Sequence, residues 1–213
     1  MIRLPWRGLL ASFAVVLACL WAFGEIAERV FEGAPIPLEV PLMQWIHAGN
    51  SPGADRVAGF FAAVGGATVM APVGVLLALA LHRLRPHLGA FVVLSLGGTA
   101  LLTWVMKLVF ARPRPSLWVS ILPQRDASFP SGHTMMATAF AATIVAVLWS
   151  TRWRWPAVAV GAVYVSGMMW SRVYLGVHYP SDVAAGALFS LQWVVVLFRL
   201  LPGSRVASTA ASR

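Results

Sequence analysis

The sequence has few charged residues and almost no cysteine. Only 11% of its 213 residues are charged, whereas a soluble globular domain carries about 25%. Acidic residues are the scarcest, with 7 against 16 Lys and Arg. The single cysteine, Cys19, cannot form an internal disulfide. These shortages exclude an ordinary soluble domain and a small domain held together by disulfides.

Apolar residues make up 59% of the chain, and the mean hydropathy is +0.77. Runs of about 20 apolar residues are long enough to cross a bilayer as helices. The sequence therefore predicts one all-α domain over residues 1–213, a polytopic membrane helical bundle with about six transmembrane helices. Residues 202–213 are small and polar and are predicted to be a disordered tail. The predicted spans are Leu9–Phe23 (extending toward Phe31), Val57–Leu81, Leu88–Phe110, His133–Trp149, Trp155–Val173 and Asp182–Leu201.

Two stretches outside these spans leave alternatives open. Residues 32–53 are rich in proline and contain either a short interfacial helix or an extended linker. At the N-terminus, Arg3, Arg7 and the small residues around Gly24 resemble a signal peptide. Because the apolar character resumes beyond Gly24, an uncleaved first span is favoured.

The basic residues orient the bundle. They are scattered between apolar runs and form no continuous patch, so no nucleic-acid partner is expected despite the net charge of +9. With the N-terminus inside, nine of the 16 Lys and Arg fall at inner span ends, and all seven acids fall outside. The outer basic residues are Arg29, Arg56, Lys107, Arg112, Arg114, Arg125 and Arg172. This distribution predicts that the outer face, periplasmic in a bacterial inner membrane, carries the polar motifs.

Three of these outer cations are candidates for phosphate binding. Lys107 lies near the end of a predicted span, where its ammonium can reach the headgroup region. Arg114 and Arg172 offer planar forks that match phosphate oxygens in pairs. Arg112 is interpreted instead as a charge that contacts lipid headgroups or sets topology.

A Pro-Ser-Gly-His turn precedes the fourth predicted span. Ser131 is a natural N-cap, and Gly132 and His133 then fall in the first helical turn. Free N–H groups and the positive end of the helix dipole make such a turn an anion site, and Gly132 allows close approach of the backbone.

His178 and Asp182 are four residues apart across a predicted helix start. Asp182 can orient one ring nitrogen of His178, which leaves the other as a nucleophile, while His133 can act as the general acid. The neighbouring cations oppose a metal ion, so no metal and no cofactor are expected. The histidines 47, 82 and 87 lack comparable partners in the sequence, and residues 124–126 are either headgroup contacts or a solvated loop.

Together these residues form a joint pattern: Lys107 with Arg114-Pro115, Pro130 to His133, and Ser171-Arg172 with His178 and Asp182. In this pattern the chain resembles the type 2 phosphatidic acid phosphatase family of membrane lipid phosphatases. The resemblance implies a metal-independent phosphatase in which His178 forms a phosphohistidine, Asp182 orients it and His133 protonates the leaving group. It also implies that phosphate is held by Lys107, Arg114, Ser131, Gly132 and Arg172.

The resemblance further implies a substrate that is a phospholipid or isoprenyl phosphate at the membrane. Undecaprenyl diphosphate is the first expectation, and phosphatidylglycerophosphate or phosphatidate the second. A lipid phosphotransferase of the same family and a non-catalytic lipid or anion transporter are the alternatives. The sequence does not indicate an oligomeric state. Vanadate-dependent haloperoxidases have a similar site, but they are soluble, unlike a chain with this many apolar runs.

Overall fold

A computed structural model describes residues 6–201, which form helices and, within that range, no strand. This confirms the predicted all-helical membrane bundle. The tail predicted to be disordered, residues 202–213, lies outside the described residues. The helices are α1 (Trp6–Phe31), α2 (Glu39–His47), α3 (Pro52–Val64), α4 (Ala67–Leu84), α5 (Pro86–Phe110), α6 (Gly132–Leu148), α7 (Arg154–Tyr174) and α8 (Pro180–Leu200).

Four of the described helices are long and apolar enough to cross a membrane: α1 from Gly8, α4, α5 and α8. Helix α6 is also apolar but has only 17 residues. Large apolar side chains on these helices face outward, as lipid contact requires; Trp21 is 71% exposed and Leu76 66%. The count of six spans stays a prediction.

The prediction of one continuous helix for the second span is wrong. Residues 57–81 are divided between α3 and α4, with Gly65 and Gly66 between them. A Cβ at Gly65 would lie 2.2 Å from the Cε atom of Met168 on α7. The absence of a side chain therefore allows the α3–α4 turn to pack directly on α7.

The proline-rich segment after α1 contains the short helix α2 rather than an extended linker. Met43 anchors it, because this side chain is fully buried against Val173 of α7 and Val183 of α8. On the opposite face Trp45 is 76% exposed. Helix α2 is thus amphipathic, and its inner face lies against the ends of α7 and α8.

Helix α6 occupies the centre of the bundle, between α5, α7 and α8. Its start is packed tightly on α8, where a Cβ at Gly186 would lie 3.0 Å from the carbonyl oxygen of Ser131. The Ser131 N–H donates to the carbonyl of Asp182 at 3.1 Å. The start of α6 and the start of α8 are therefore joined, which brings the second and third sequence motifs together.

Candidate active site

His178 and Asp182 lie at the start of α8 and are both fully buried. The Nδ1 atom of His178 is 3.5 Å from Oδ2 of Asp182. The same Oδ2 accepts a hydrogen bond of 2.8 Å from the backbone N–H of Tyr179, which fixes the carboxylate at the helix start. The predicted pairing of this histidine with this carboxylate is present in the structure.

Ser128 is a third member of this group that the sequence did not reveal. Its hydroxyl donates to Oδ2 of Asp182 and lies 3.4 Å from Nδ1 of His178. Ser128 is fully buried, and its N–H donates to the carbonyl of Arg112 at 2.8 Å. No motif position marks it, since a serine two residues before a proline is a common loop residue.

The other ring nitrogen of His178 faces a cation. Nε2 lies 3.2 Å from a terminal nitrogen of Arg114, which has no lone pair to offer, so Nε2 accepts and the proton resides on Nδ1. Burial disfavours the charged ring and, together with the charges of Arg114 and Lys107, lowers the pKa of His178 to about 4, although Asp182 acts in the opposite direction. A neutral imidazole with an unprotonated Nε2 is the form that a nucleophile requires.

Asp126 joins two of the predicted phosphate-binding cations. One carboxylate oxygen lies 2.7 Å from Nζ of Lys107 and the other 2.6 Å from a terminal nitrogen of Arg114. Burial alone would raise the pKa of Asp126, but hydrogen bonds and charge from Lys107 and Arg114 lower it to about 2. Asp126 is therefore more than part of a solvated loop, because its carboxylate pairs with two of the cations predicted to bind phosphate.

Arg172, in the last turn of α7, is fully buried. One terminal nitrogen donates to the hydroxyl of Ser171 at 2.8 Å. Within residues 6–201 its Nε has no hydrogen-bond partner, and no carboxylate forms an ion pair with it. It is close enough to His133 and Arg114 to act on both electrostatically. A buried cation with an unsatisfied N–H suits an anionic ligand.

The Pro-Ser-Gly-His turn differs in detail from the prediction. Ser131 is the N-cap residue of α6, but its side chain forms no capping hydrogen bond; its hydroxyl accepts from Thr134 at 3.1 Å. A Cβ at Gly132 would lie 3.1 Å from a methyl of Thr103 on α5. The turn therefore packs closely against the helix that carries Lys107, and His133 follows it in the first turn of α6.

The interpretation of Arg112 as a headgroup or topology charge is wrong. Its side chain is only 13% exposed and lies between two carboxylates, 2.6 Å from Oδ1 of Asp182 and 2.9 Å from Oε2 of Glu39. Burial alone would lower the pKa of this guanidinium, but Asp182 and Glu39 raise it. Glu39 comes from α2, and no pattern in the sequence connects that helix with the site.

His47 also has partners that the sequence did not indicate. Its ring stacks on Trp118 with centroids 3.9 Å apart, and Nδ1 lies 3.2 Å from the carbonyl of Tyr174. A Cβ at Gly176, which has a φ of +67°, would lie 2.6 Å from the indole of Trp118. These contacts hold the loop after Arg114 against α2 and the α7–α8 turn.

An apolar groove leads away from these charges. It has a volume of about 700 Å³ and runs between α4, α5 and α6. His133, Lys107 and Asp126 line its polar end, and Ala78 and Val92 line the far end. Val92 and Lys107 are 15 residues apart on α5, so the groove is about 22 Å long. An extended hydrocarbon chain fits these dimensions.

The bundle of apolar helices, with a cation-rich buried site where four helix ends meet, defines the chain as a multi-pass membrane protein. Residues 88–205 match the PAP2 superfamily. This match covers more than half of the chain, which therefore belongs to that superfamily.

Three relatives illustrate the similarity. The undecaprenyl-diphosphatase of Sulfolobus acidocaldarius is 37% identical over 143 residues, which are 65% of this chain and 66% of that protein. Phosphatidylglycerophosphatase B of Escherichia coli is 42% identical over 69 residues, 32% of this chain and 26% of that one. The crystal structure of a transmembrane PAP2-type phosphatidylglycerolphosphate phosphatase from Bacillus subtilis has a TM-score of 0.74, covering 85% of this chain and 93% of that one. At 21% identity, this last similarity shows the fold alone.

The chain thus spans just under two thirds of the archaeal relative and about a quarter of the Escherichia coli one. All three motifs, from Lys107 to Asp182, fall within the residues that match the superfamily, whereas Glu39 lies before them.

Replacing Asp126 with Asn should strengthen the binding of phosphate. The change removes a negative charge from Lys107 and Arg114 that a bound phosphate must displace. Because the Asp126 side chain is 58% exposed, solvent screens its ion pairs, and we expect the inhibition constant of inorganic phosphate to fall only about fivefold. Competition assays in detergent measure this. Glu28→Gln, which removes an exposed acid on α1, is the control; unchanged or weaker inhibition in Asp126→Asn would contradict the interpretation.

Proposed function

We propose that this protein is an integral membrane lipid phosphatase that hydrolyses a lipid phosphate or diphosphate through a phosphohistidine intermediate. The observation that carries the proposal is the buried Arg172 guanidinium, which lacks an ion-pair partner in the described chain and lies within electrostatic reach of His133. Lys107 and Arg114 supply two further cations beside the same histidine pair. Such a set neutralises the charge that phosphoryl transfer develops.

In the first step, Nε2 of His178 attacks phosphorus and the bond from phosphorus to the lipid oxygen breaks. A terminal nitrogen of Arg114 lies within hydrogen-bond distance of Nε2. When substrate enters, this guanidinium turns from Nε2 to the phosphate oxygens. The negative charge of the bound substrate offsets the cations around His133, so that this ring carries a proton in the complex. His133 gives that proton to the departing oxygen, which leaves as the lipid alcohol or, from a diphosphate, as the lipid monophosphate. Asp182 and Ser128 hold the Nδ1 side of the attacking ring.

In the second step, water attacks phosphorus and His133 takes its proton. The bond from phosphorus to Nε2 breaks, inorganic phosphate leaves, and His178 is neutral again. The N–H groups at the start of α6 and the three cations stabilise the developing charge in both steps. The packing of α5 to α8 supports this scheme, because it brings both histidines and the three cations to one end of the bundle.

The apolar groove between α4, α5 and α6 supports a substrate with a long hydrocarbon tail. We propose an isoprenyl diphosphate such as undecaprenyl diphosphate first, in line with the activity named for the archaeal relative. Phosphatidylglycerophosphate or phosphatidate is second, in line with the Escherichia coli relative. The groove walls offer few polar groups, so the phosphate end provides the fixed contacts.

Replacing His178 with Ala should abolish phosphate release, because His178 is the histidine that Asp182 orients for attack on phosphorus. Purified protein is assayed in detergent against a panel of lipid phosphates and diphosphates. The variant should lose at least about a thousandfold in kcat while eluting like the wild type. His82→Ala, an exposed histidine at the far end of α4, is the control. Residual turnover in His178→Ala would contradict the covalent mechanism, and a wild type that releases no phosphate would favour a transporter.

The pH dependence of kcat/KM should reflect the lowered pKa of His178. Only the neutral ring can attack, so activity is lost as pH falls through about 4, rather than near 6.5 as for an ordinary histidine. A monophosphate ester also titrates, so the profile is measured with one monophosphate and one diphosphate substrate. A fall in kcat/KM at the same pH with both substrates reports the titration of a group on the enzyme. A common limb near pH 6.5 would contradict the buried neutral histidine.

We propose that the site faces the periplasm of a bacterial inner membrane, as the distribution of basic residues indicates. In a Cys19→Ser background, Val119→Cys provides one thiol in the loop after Arg114, where Val119 is 95% exposed. A membrane-impermeant thiol reagent should label it in intact cells. Leu84→Cys, at the last residue of α4, is the control and should be labelled only after lysis. The reverse pattern would overturn the orientation.

A further inference from the structure

The positively charged side chain of Arg112 contacts the carboxylate that orients His178. Arg112 lies 2.6 Å from Oδ1 of Asp182 and also donates to Ser181 at 2.8 Å. Such a cation cancels much of the negative charge of Asp182, because both groups are buried and solvent screens them little. Phosphorylation of His178 at Nε2, however, gives the ring a positive charge. A negative Asp182 must stabilise that charge.

Glu39 of α2 restores the missing negative charge. Its Oε2 lies 2.9 Å from the second terminal nitrogen of Arg112, and the residue is only 6% exposed. Its Oε1 accepts from the N–H of Ser181 at 3.2 Å and from the Ser181 hydroxyl. With Glu39, Arg112 and Asp182 all ionised, the cluster has a net charge of −1 instead of 0.

The cluster is held rigidly. Arg112 lies over the ring of Tyr179 at 4.1 Å from the centroid, and the Tyr179 N–H donates to the other oxygen of Asp182. Both carboxylates accept hydrogen bonds at the start of α8: Glu39 from the N–H of Ser181, and Asp182 from the N–H of Tyr179. Glu39 is therefore fixed relative to the ring of His178 even though α2 and α8 are far apart in sequence.

We propose that Glu39 is a positioning residue for the phosphatase reaction, which acts through Arg112 to keep Asp182 oriented and its surroundings negative. This inference rests on the proposed function. It makes α2, which lies outside the residues that match the superfamily, part of the catalytic apparatus.

The charges around His178 fix the direction of the expected effects. Asp182 faces Nδ1, with Arg112, Glu39 and Tyr179 behind it. On the opposite side of the ring, Arg114, Lys107 and His133 act on His178. Removing a negative charge from the Asp182 side of the ring leaves the positive charges on the other side less balanced. The pKa of His178 then falls.

Glu39→Gln tests the inference, because the amide keeps the shape and an accepting oxygen but loses the charge. We expect kcat to fall about tenfold, equivalent to about 1.4 kcal/mol in the barrier, with KM nearly unchanged. The acid limb of kcat/KM should move to lower pH. A purely structural role would reduce the amount of folded protein without moving that limb. Glu32→Gln, at an exposed acid directly after α1, is the matched control and should behave as wild type.

Arg112→Gln provides the opposite test, and it remains usable if Glu39→Gln does not fold. Removing the cation makes the cluster more negative, so the acid limb should move to higher pH. In the double variant Glu39→Gln/Arg112→Gln the net charge returns to −1, and kcat should be no lower than in Glu39→Gln alone. Losses that add up in the double variant would overturn the inference, as would an acid limb that moves the same way in both single variants.

The two proposals fail separately. If wild type releases phosphate and His178→Ala does not, but Glu39→Gln matches wild type in kcat and pH profile, only the role of Glu39 is overturned. If wild type releases no phosphate from any lipid phosphate, both proposals are overturned.

Discussion

Burying a guanidinium without a carboxylate partner is costly, because water no longer solvates the charge. Arg172 is in this state at the end of α7, fully buried and with an unsatisfied Nε. Arg112 shows the alternative, since it is shared between Glu39 and Asp182. The two arginines therefore differ in their partners: Arg112 pairs with two carboxylates, whereas Arg172 pairs with none among the described residues.

An unpaired buried cation has to be held in place by packing rather than by its own charge. The support for Arg172 comes from α3, because Ser171 accepts from the guanidinium and donates to the carbonyl of Ala58 at 2.8 Å. Ala58 is fully buried against the end of α7. The break at Gly65 that divides the second predicted span is what allows α3 to lie there. The turn between α3 and α4 thus contributes to the site by positioning α3 against the end of α7.

The sequence was sufficient where function depends on local spacing. His178 and Asp182 are four residues apart across a helix start, and Lys107 and Arg114 flank one helix end, so their meeting could be predicted. Glu39 could not be found in this way, because 73 residues separate it from Arg112. A single arginine beyond a span end is usually a topology charge, and only the fold shows that two carboxylates enclose this one. Ser128 was missed for the same reason, since its partner is 54 residues away.

Under the proposed function, an apolar groove with its charged groups at one end limits how a lipid is selected. Apolar walls distinguish tails only by length and shape, and one methylene is worth about 1–3 kcal/mol at best. Polar groups discriminate more sharply, because an unmatched buried donor or charge is costly. In this structure those groups lie at the polar end of the groove, where Asp126 forms ion pairs with Lys107 and Arg114. Under the proposed function, the substrate phosphate competes with that carboxylate for both cations, so charge and geometry at the phosphate decide more than the identity of the tail.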